Sequence, residues 1–501
     1  MNELDLHLRH DLILSQDQMA VAPEEVEIIT AVDSLIARVL GINVERISND
    51  LMYQSIREWD SLSHVTLMIA LETELRIKIT DQIMLQLHSV SAIREFAQKH
   101  TTRVDRGAKS AATVTPAIKP TTITVHRGLE GVYIERSTIT NIDGERGVLE
   151  HRGYNIHDLV EQSSFEETAW LLLNGELPDA PTLAAFQEEL RLHRELPTAI
   201  VDLVRMLAHA HPMEVLRTGI SALGALACNG QDESQAAAMR SGLRLIAQIP
   251  TLVATHHAIR SGREPIAPHA TLSHAKNFLY MLFGEEPSPS AVRFVDKDLI
   301  AHAEHGLNAS AFAARVAIGC KANLYAAITA AIAAFSGSLH GGATERALEL
   351  IDAVGTPDNA EAYVRNCLER NQPVMGFGHR VYRTEDPRVR HFREAARSLS
   401  WEHRDTHGLA IIEAIVKAME PYSLHGVEPN ADLYAGLTYR LLGLPDDLAV
   451  PMYVAGRIAG WIAQSLEQKS NNVLIRPRLQ YVGATSRKYR FLSTLAEPQT
   501  Y

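Results

Sequence analysis

Cysteine is scarce. The 501 residues hold three, Cys228, Cys320 and Cys367, widely separated, odd in number and without a C-x-x-C pair. A disulfide framework is therefore not expected, and free thiols in a reducing compartment, the cytoplasm, are. No uninterrupted apolar run is long enough to span a bilayer. The first residues, MNELDLHLRHDLILSQ, set acids among apolar residues and lack an extended apolar core, so they do not read as a signal peptide. Long Lys/Arg runs are missing too. With 48 basic and 60 acidic residues the net charge is −12, which argues against nucleic acid or an anionic membrane as partner. There is no repeat of fixed period, no heptad pattern and no G-x-S-x-G. Gly376-x-Gly378 does not extend to G-x-G-x-x-G, so neither a serine hydrolase nor a dinucleotide fold has a motif to rest on.

What is present is ordinary for a soluble globular protein: 46% hydrophobic and 22% charged residues, at a length that suggests roughly two to four domains. The stretch AKSAATVTPAIKPTTITVH, Ala108 to His126, is Ala, Thr and Pro without helical period. It marks a linker over 101–126. Before it lie an N-terminal extension, 1–21, and a small helical module, 22–100. In the module, Pro23 and two glutamates suit a helix first turn, and Val26, Ile29, Val32, Ile36 and Leu40 line one face. After the linker, 127–501 reads as mainly helical, with FAARVAIGCKANLYAAITAAIAAF (312–335) and AGRIAGWIAQSLEQ (455–468) as helical stretches. Its start, GVYIERSTITNIDGERGVLEHRGYNI, differs. Alternating β-branched residues and an Asp143-Gly144 turn predict a few short strands.

Histidines recur beside glycines in three separated stretches. AEHGLNAS holds His305, GSLHGGA holds His340, and GFGHRVYRTEDPR holds His379, Arg383 and Arg388. Asp432 follows in PNADLYAG, then Arg457, and Arg476 in IRPR. Among 23 histidines any one of these is unremarkable by itself. His302-x-x-His305 lacks a supporting Cys or carboxylate cluster, so no metal is expected.

The set in this order resembles the citrate synthase family along about 127–485. IDGERGVLEHRGYNIHDLVEQSSFEETAWLLLNGELP, LHGGA, GFGHRVY…DPR, PNADLY and RPRLQYVG occur in the family's order. The resemblance implies a mainly α protein with a two-domain, all-helical citrate synthase fold, the smaller domain at roughly 342–440. It implies an acyltransferase that condenses an acyl thioester, acetyl-CoA in the first instance, with oxaloacetate and hydrolyses the product to citrate and free thiol. That is the entry reaction of the tricarboxylic acid cycle. A thioester α-proton is a very weak acid, so a base must remove it while the carbonyl oxygen is stabilised by hydrogen bonding. The resemblance assigns Asp432 as base, His340 as partner of the nascent enol, and His379 as donor to the oxo-acid carbonyl. His305, Arg388, Arg457 and Arg476 match the oxaloacetate-binding set, where guanidiniums meet carboxylates in charge-assisted pairs. Met375, Gly376, Phe377, Gly378 and Arg383 match the coenzyme A side. The arginine matched by Arg476 reaches a neighbouring subunit in the family, which implies a homodimer. Two departures stand out. Gly306 follows His305 where many members have Glu, and the run YSLHGVEPNAD carries no lysine for the coenzyme phosphates.

The module at 22–100, with WDSLSHVTLMIALETELRIKIT, resembles an acyl carrier protein and implies a small four-helix acyl-carrier bundle. Asp60-Ser61 also reads as a helix start. The resemblance makes Ser61 the attachment point of 4′-phosphopantetheine, installed by a phosphopantetheinyl transferase, since a helix N-terminus favours a phosphoester. A flexible tether of about 25 residues reaches roughly 25–30 Å, which would keep the carrier concentrated near the synthase. Alternatives stay open: the donor carried on Ser61 in a specialised pathway, propionyl-CoA giving 2-methylcitrate, or a carrier on a catalytically silent dimer scaffold.

Overall fold

The computed structural model describes residues 23–101 except 54, 57, 60 and 76–78, and residues 125–487 except 130, 228–233, 371 and 424–425. The N-terminal extension, most of the linker, Asp60 and Cys228 lie outside these.

Helices Pro23–Leu40, Ser61–Leu75, Asp81–Gln86 and Val90–Thr101 share one small core. Val32, Ile36 and Leu40 are buried in it, as their spacing predicts, with Ile29 half-buried at the edge. Val26 begins the same face, but its side chain is outside the described residues. Trp59 is fully buried just before the second helix and donates from Nε1 to His64 Nδ1 at 3.1 Å. Arg94 clamps the first helix to the last through both oxygens of Asp33, at 2.8 and 2.7 Å.

The strands expected after the linker are there. β1 (Thr140–Asp143), β2 (Val148–His151) and β3 (Tyr154–Asn155) form an antiparallel sheet in the order β1-β2-β3, with Asp143 opposite Val148. Asp143 Oδ1 accepts from the N–H groups of Glu145 and Arg146, and Gly147 takes a positive φ of 64°, which closes the turn.

The rest is helical. The helical stretch at 312–335 is two helices, Ala309–Gly319 and Leu324–Phe335. Lys321 sits at φ 61° and Asn323 caps the second helix through Ala326 N–H; an Asn N-cap outcompetes the surrounding alanine propensity. Helix Ala449–Ser470 is buried along almost its whole length. It approaches helix Pro289–His302 backbone to backbone. A Cβ at Gly456 would lie 2.6 Å from Leu299 O, and one at Gly460 would lie 2.3 Å from Ala303 O, which accepts from Gly460 N–H. This close approach sets Arg457 beside His302–His305. Helices Ala343–Val354, Ala360–Glu369, Val389–Glu402, His407–Ser423 and Ala431–Leu441 pack among themselves beside that layer. Among the described residues no helix is long and apolar enough to cross a membrane.

Candidate active site

His340 lies in a tight turn after helix Leu324–Phe335. Gly341 N–H returns to Phe335 O at 2.9 Å, and a Cβ on Gly341 would strike the Phe335 ring at 2.3 Å. The imidazole stands edge to face with that ring at 4.8 Å. Its Nε2 accepts from Ser310 N–H at 3.3 Å and lies 2.8 Å from Ser310 Oγ. The hydroxyl has one proton, for Nε2 or for Asn308 Oδ1 at 2.7 Å, and accepts from Trp461 Nε1 at 3.1 Å. The backbone N–H alone makes Nε2 an acceptor, so the ring proton sits on Nδ1. Burial, reinforced by Arg457, pushes the pKa down to about 4. His340 is thus a neutral donor.

His379 and Asp432 are held together by their backbones. Gly378 N–H donates to Glu428 O, Asn430 N–H to Gly376 O, and Asn430 Nδ2 to Gly378 O, at 2.8, 2.9 and 3.0 Å. Gly376 and Gly378 have φ of 82° and 78°, a conformation that favours glycine. Val381 and Tyr382 N–H both donate to His379 Nδ1 at 3.0 Å, so its proton is on Nε2. Its pKa is pushed down to about 4 by burial, against the pull of Asp386. Asp432 opens helix Ala431–Leu441 behind the N-cap Asn430 and accepts from Thr344 Oγ1 at 2.6 Å. Burial raises its pKa; Thr344 and Arg388 oppose the rise. It is a carboxylate with a single described side-chain donor, desolvated and therefore more basic than in water.

The basic groups meet around Tyr453. Arg388, 4% exposed, donates Nε and Nη2 to Asp386 at 3.0 and 2.6 Å and Nη1 to Tyr453 Oη at 3.1 Å. Arg457, 2% exposed, donates Nη2 to the same oxygen at 3.1 Å and Nε to His302 O at 2.6 Å. Asp386 pairs with Arg388. Arg457 has no carboxylate within ion-pair distance among the described residues, and its bonded partners are neutral oxygens. A buried guanidinium without a counter-ion is costly unless an anion completes it. His305 is buried next to both. Its Nε2 lies 3.0 Å from Tyr382 Oη, and its ring is edge to face with His379 at 5.2 Å. Burial, then Arg388, pushes it well below the usual histidine range.

Seven of the expected residues therefore converge: His305, His340, His379, Arg388, Asp432 and Arg457, with Arg383 at the edge, its N–H on Gly144 O at 2.9 Å and its Nη1 on His379 O at 3.3 Å. The 375–378 loop flanks them, with Met375 half-buried. Arg476 is not among them. It is exposed on an extended segment after helix Ala449–Ser470. Gly306, the departure after His305, has φ 63° and donates N–H to Glu304 Oε2 at 2.6 Å. Ser310, Asp386 and Asn430 join the site from within AEHGLNAS, GFGHRVYRTEDPR and PNADLYAG, and Thr344 from just beyond GSLHGGA, although no motif marks their roles. Tyr453 lies in none.

The model of the family described as "Citrate synthase, C-terminal domain" matches residues 128–478. A citrate synthase of Deinococcus radiodurans is 39% identical over 367 residues, 73% of this chain and 97% of that one. A 2-methylcitrate synthase of Corynebacterium glutamicum is 40% identical over 374 residues, 74% of this chain and 97% of that one. Among solved structures, the citrate synthase of Thermoplasma acidophilum in ternary complex with carboxymethyl coenzyme A and oxaloacetate is similar at a TM-score of 0.71. It is 28% identical, over 74% of this chain and 99% of that one.

Proposed function

The chain belongs to the citrate synthase family, and from that premise we propose how its site performs the reaction and what the N-terminal module adds. The enzyme condenses an acyl thioester with oxaloacetate and hydrolyses the thioester, an acyl transfer that ends as citrate and free thiol. Acetyl-CoA is the donor we assign; propionyl-CoA, giving 2-methylcitrate, is the variant that similarity to both kinds of synthase keeps in play.

In this reading Asp432 takes the α-proton. The raised basicity of its buried carboxylate favours that role. His340 donates Nδ1–H to the thioester oxygen as the enol forms, and His379 donates Nε2–H to the ketone oxygen of oxaloacetate. A neutral donor of fixed tautomer at His340 suits an uncharged enol better than imidazolium would. Arg388, Arg457 and His305 receive the oxaloacetate carboxylates. The 375–378 loop and Arg383 face coenzyme A. The helices at 342–440 form the smaller domain, whose closure excludes water.

The observation that carries the reading is Arg457, buried with neutral oxygens as its bonded partners and no carboxylate within ion-pair distance among the described residues. Calorimetry with oxaloacetate tests it. Arg457→Met fills the space without the charge. We expect it to stay folded and to lose about 2–5 kcal/mol of oxaloacetate affinity, the cost of an unpaired buried partner. Unchanged affinity would overturn the assignment.

Arg476 completes the site of a second copy in a homodimer. Its exposure supports this, as do Val473, Leu474, Leu479, Tyr481 and Val482, all exposed apolar side chains on the same segment. Residues 22–100 act as an acyl carrier. Ser61, first residue of helix Ser61–Leu75, is where a phosphopantetheinyl transferase would attach the arm, and backbone N–H groups of that first turn suit its phosphate. The linker, 101–126, tethers it. The protein works in the cytoplasm, where Cys320 and Cys367, free in this structure, remain thiols.

A further inference from the structure

A second cluster of ligating side chains stands away from the substrates, at the seam between helix Ile156–Gln162 and helix Val389–Glu402. His391 is 5% exposed. Its Nε2 lies 2.8 Å from His157 Nδ1. Its Nδ1 faces Glu161 Oε1 at 3.1 Å, within ion-pair distance, and this buried nitrogen makes no hydrogen bond of good geometry among the described residues. Glu394 is one helical turn further on. One ligand atom from each of Glu161, His391 and Glu394 lies within 4.8 Å of the others. Buried polar atoms are rarely left unsatisfied, and one facing two carboxylates asks for an explanation.

We propose that Glu161, His391 and Glu394 bind a divalent transition-metal ion, with His157 orienting His391 from behind. One imidazole and two carboxylates suit Zn²⁺ or Mn²⁺. Ligation through Nδ1 requires the proton on Nε2, where it donates to His157 Nδ1. An outer hydrogen bond of this kind is the usual support of a ligating histidine. Ligands at about 2.0–2.2 Å from zinc stand roughly 3.4 Å apart in a tetrahedron, and Nδ1 and Oε1 are already 3.1 Å apart. Glu394 is exposed and has the freedom to close the remaining gap. Lys297 Nζ holds Glu161 Oε2 at 2.9 Å and leaves Oε1 for the ion. The ion braces the helix that starts at Arg388 against the helix that leaves the β3 strand, so it supports the carboxylate pocket from outside without touching substrate.

The test uses full-length protein stripped with EDTA and titrated with Zn²⁺ or Mn²⁺ alone, read by calorimetry and by thermal melting. We expect one saturable site for at least one of the two ions and a higher melting temperature with it bound. Glu394→Gln and His157→Gln should weaken that site by about 10–100-fold, while Glu394→Gln melts like the parent in EDTA. Failure of both ions to saturate the parent protein overturns the proposal. So does binding at the parent's affinity in both Glu394→Gln and Glu161→Gln, which would place the ion on other histidines.

Discussion

Replacing Asp432 by Asn tests the chemistry at its first step. The amide keeps the size of the carboxylate and can still accept from Thr344 Oγ1, now at 2.6 Å, but it cannot take a proton. A positioned base is worth about 10²–10⁴-fold in rate, or roughly 2.7–5.4 kcal/mol of barrier at 1.36 kcal/mol per decade. Release of free thiol from acetyl-CoA with saturating oxaloacetate should fall by that factor. Oxaloacetate affinity should change little, because its carboxylates are assigned to Arg388 and Arg457. Stability should move the other way. Burial raises the folded-state pKa of Asp432, so the group favours folding only below its unfolded pKa and loses that contribution as pH rises through the raised value. At neutral pH the ionised form is therefore a liability, and the Asn variant should melt at or above the parent temperature. The acid limb of the parent kcat profile should lie above the ordinary Asp value of about 3.9 and disappear in the variant. A variant that keeps activity within a factor of ten of the parent would refute the assignment of Asp432 as base.

Three further outcomes follow from the same geometry. Gly376→Ala should lower the melting temperature and the activity together, because a Cβ there meets Leu433 Cδ1 at 2.8 Å from a φ of 82°; a strain of about 1–3 kcal/mol is expected. His151, His274, His340 and His379 have pKa values pushed down to about 3, 3, 4 and 4, burial being the largest cause in each. Depressed values mean a contribution that is complete above the unfolded pKa, about 6.5, and is lost as pH falls toward 4. Melting temperature should therefore be level above neutrality and drop steeply between those limits. Mixing Arg476→Ala with Asp432→Asn chains should restore activity if Arg476 acts in the partner's site, since one of the two mixed sites then has both residues. Absence of recovery in verified mixed dimers would refute the exchange.

The site was legible where chemistry sits in short motifs. His340, His379 and Asp432 are each marked by neighbours that the structure uses locally: Gly341 at the turn of His340, Gly376 and Gly378 in the loop of His379, Asn430 as the cap before Asp432. The Ser310 that follows His305 in AEHGLNAS meets His340 instead. What escaped depends on long-range packing. Tyr453 serves both arginines because it lies one turn before Arg457 on one helix and meets Arg388 at the start of another, and periodicity does not reveal that. Glu161 and His391, 230 positions apart in the sequence, likewise meet only through the packing of separate helices. The alanine-rich stretch is helical as expected, and the break that the Asn323 cap puts into it is not visible in composition. The expected Asp60 cap and the linker between 102 and 124 lie outside the described residues, so the carrier assignment rests on the sequence resemblance and on the helices around Trp59.

The most direct measurement is thiol release by the purified, unmodified protein given acetyl-CoA and oxaloacetate, with propionyl-CoA alongside and a Ser61→Ala variant as the carrier-free control. The account predicts robust release by both proteins, dependent on oxaloacetate, with the faster acyl group naming the product. No release from the folded protein, and none after the Ser61 arm is installed and acylated, would contradict it.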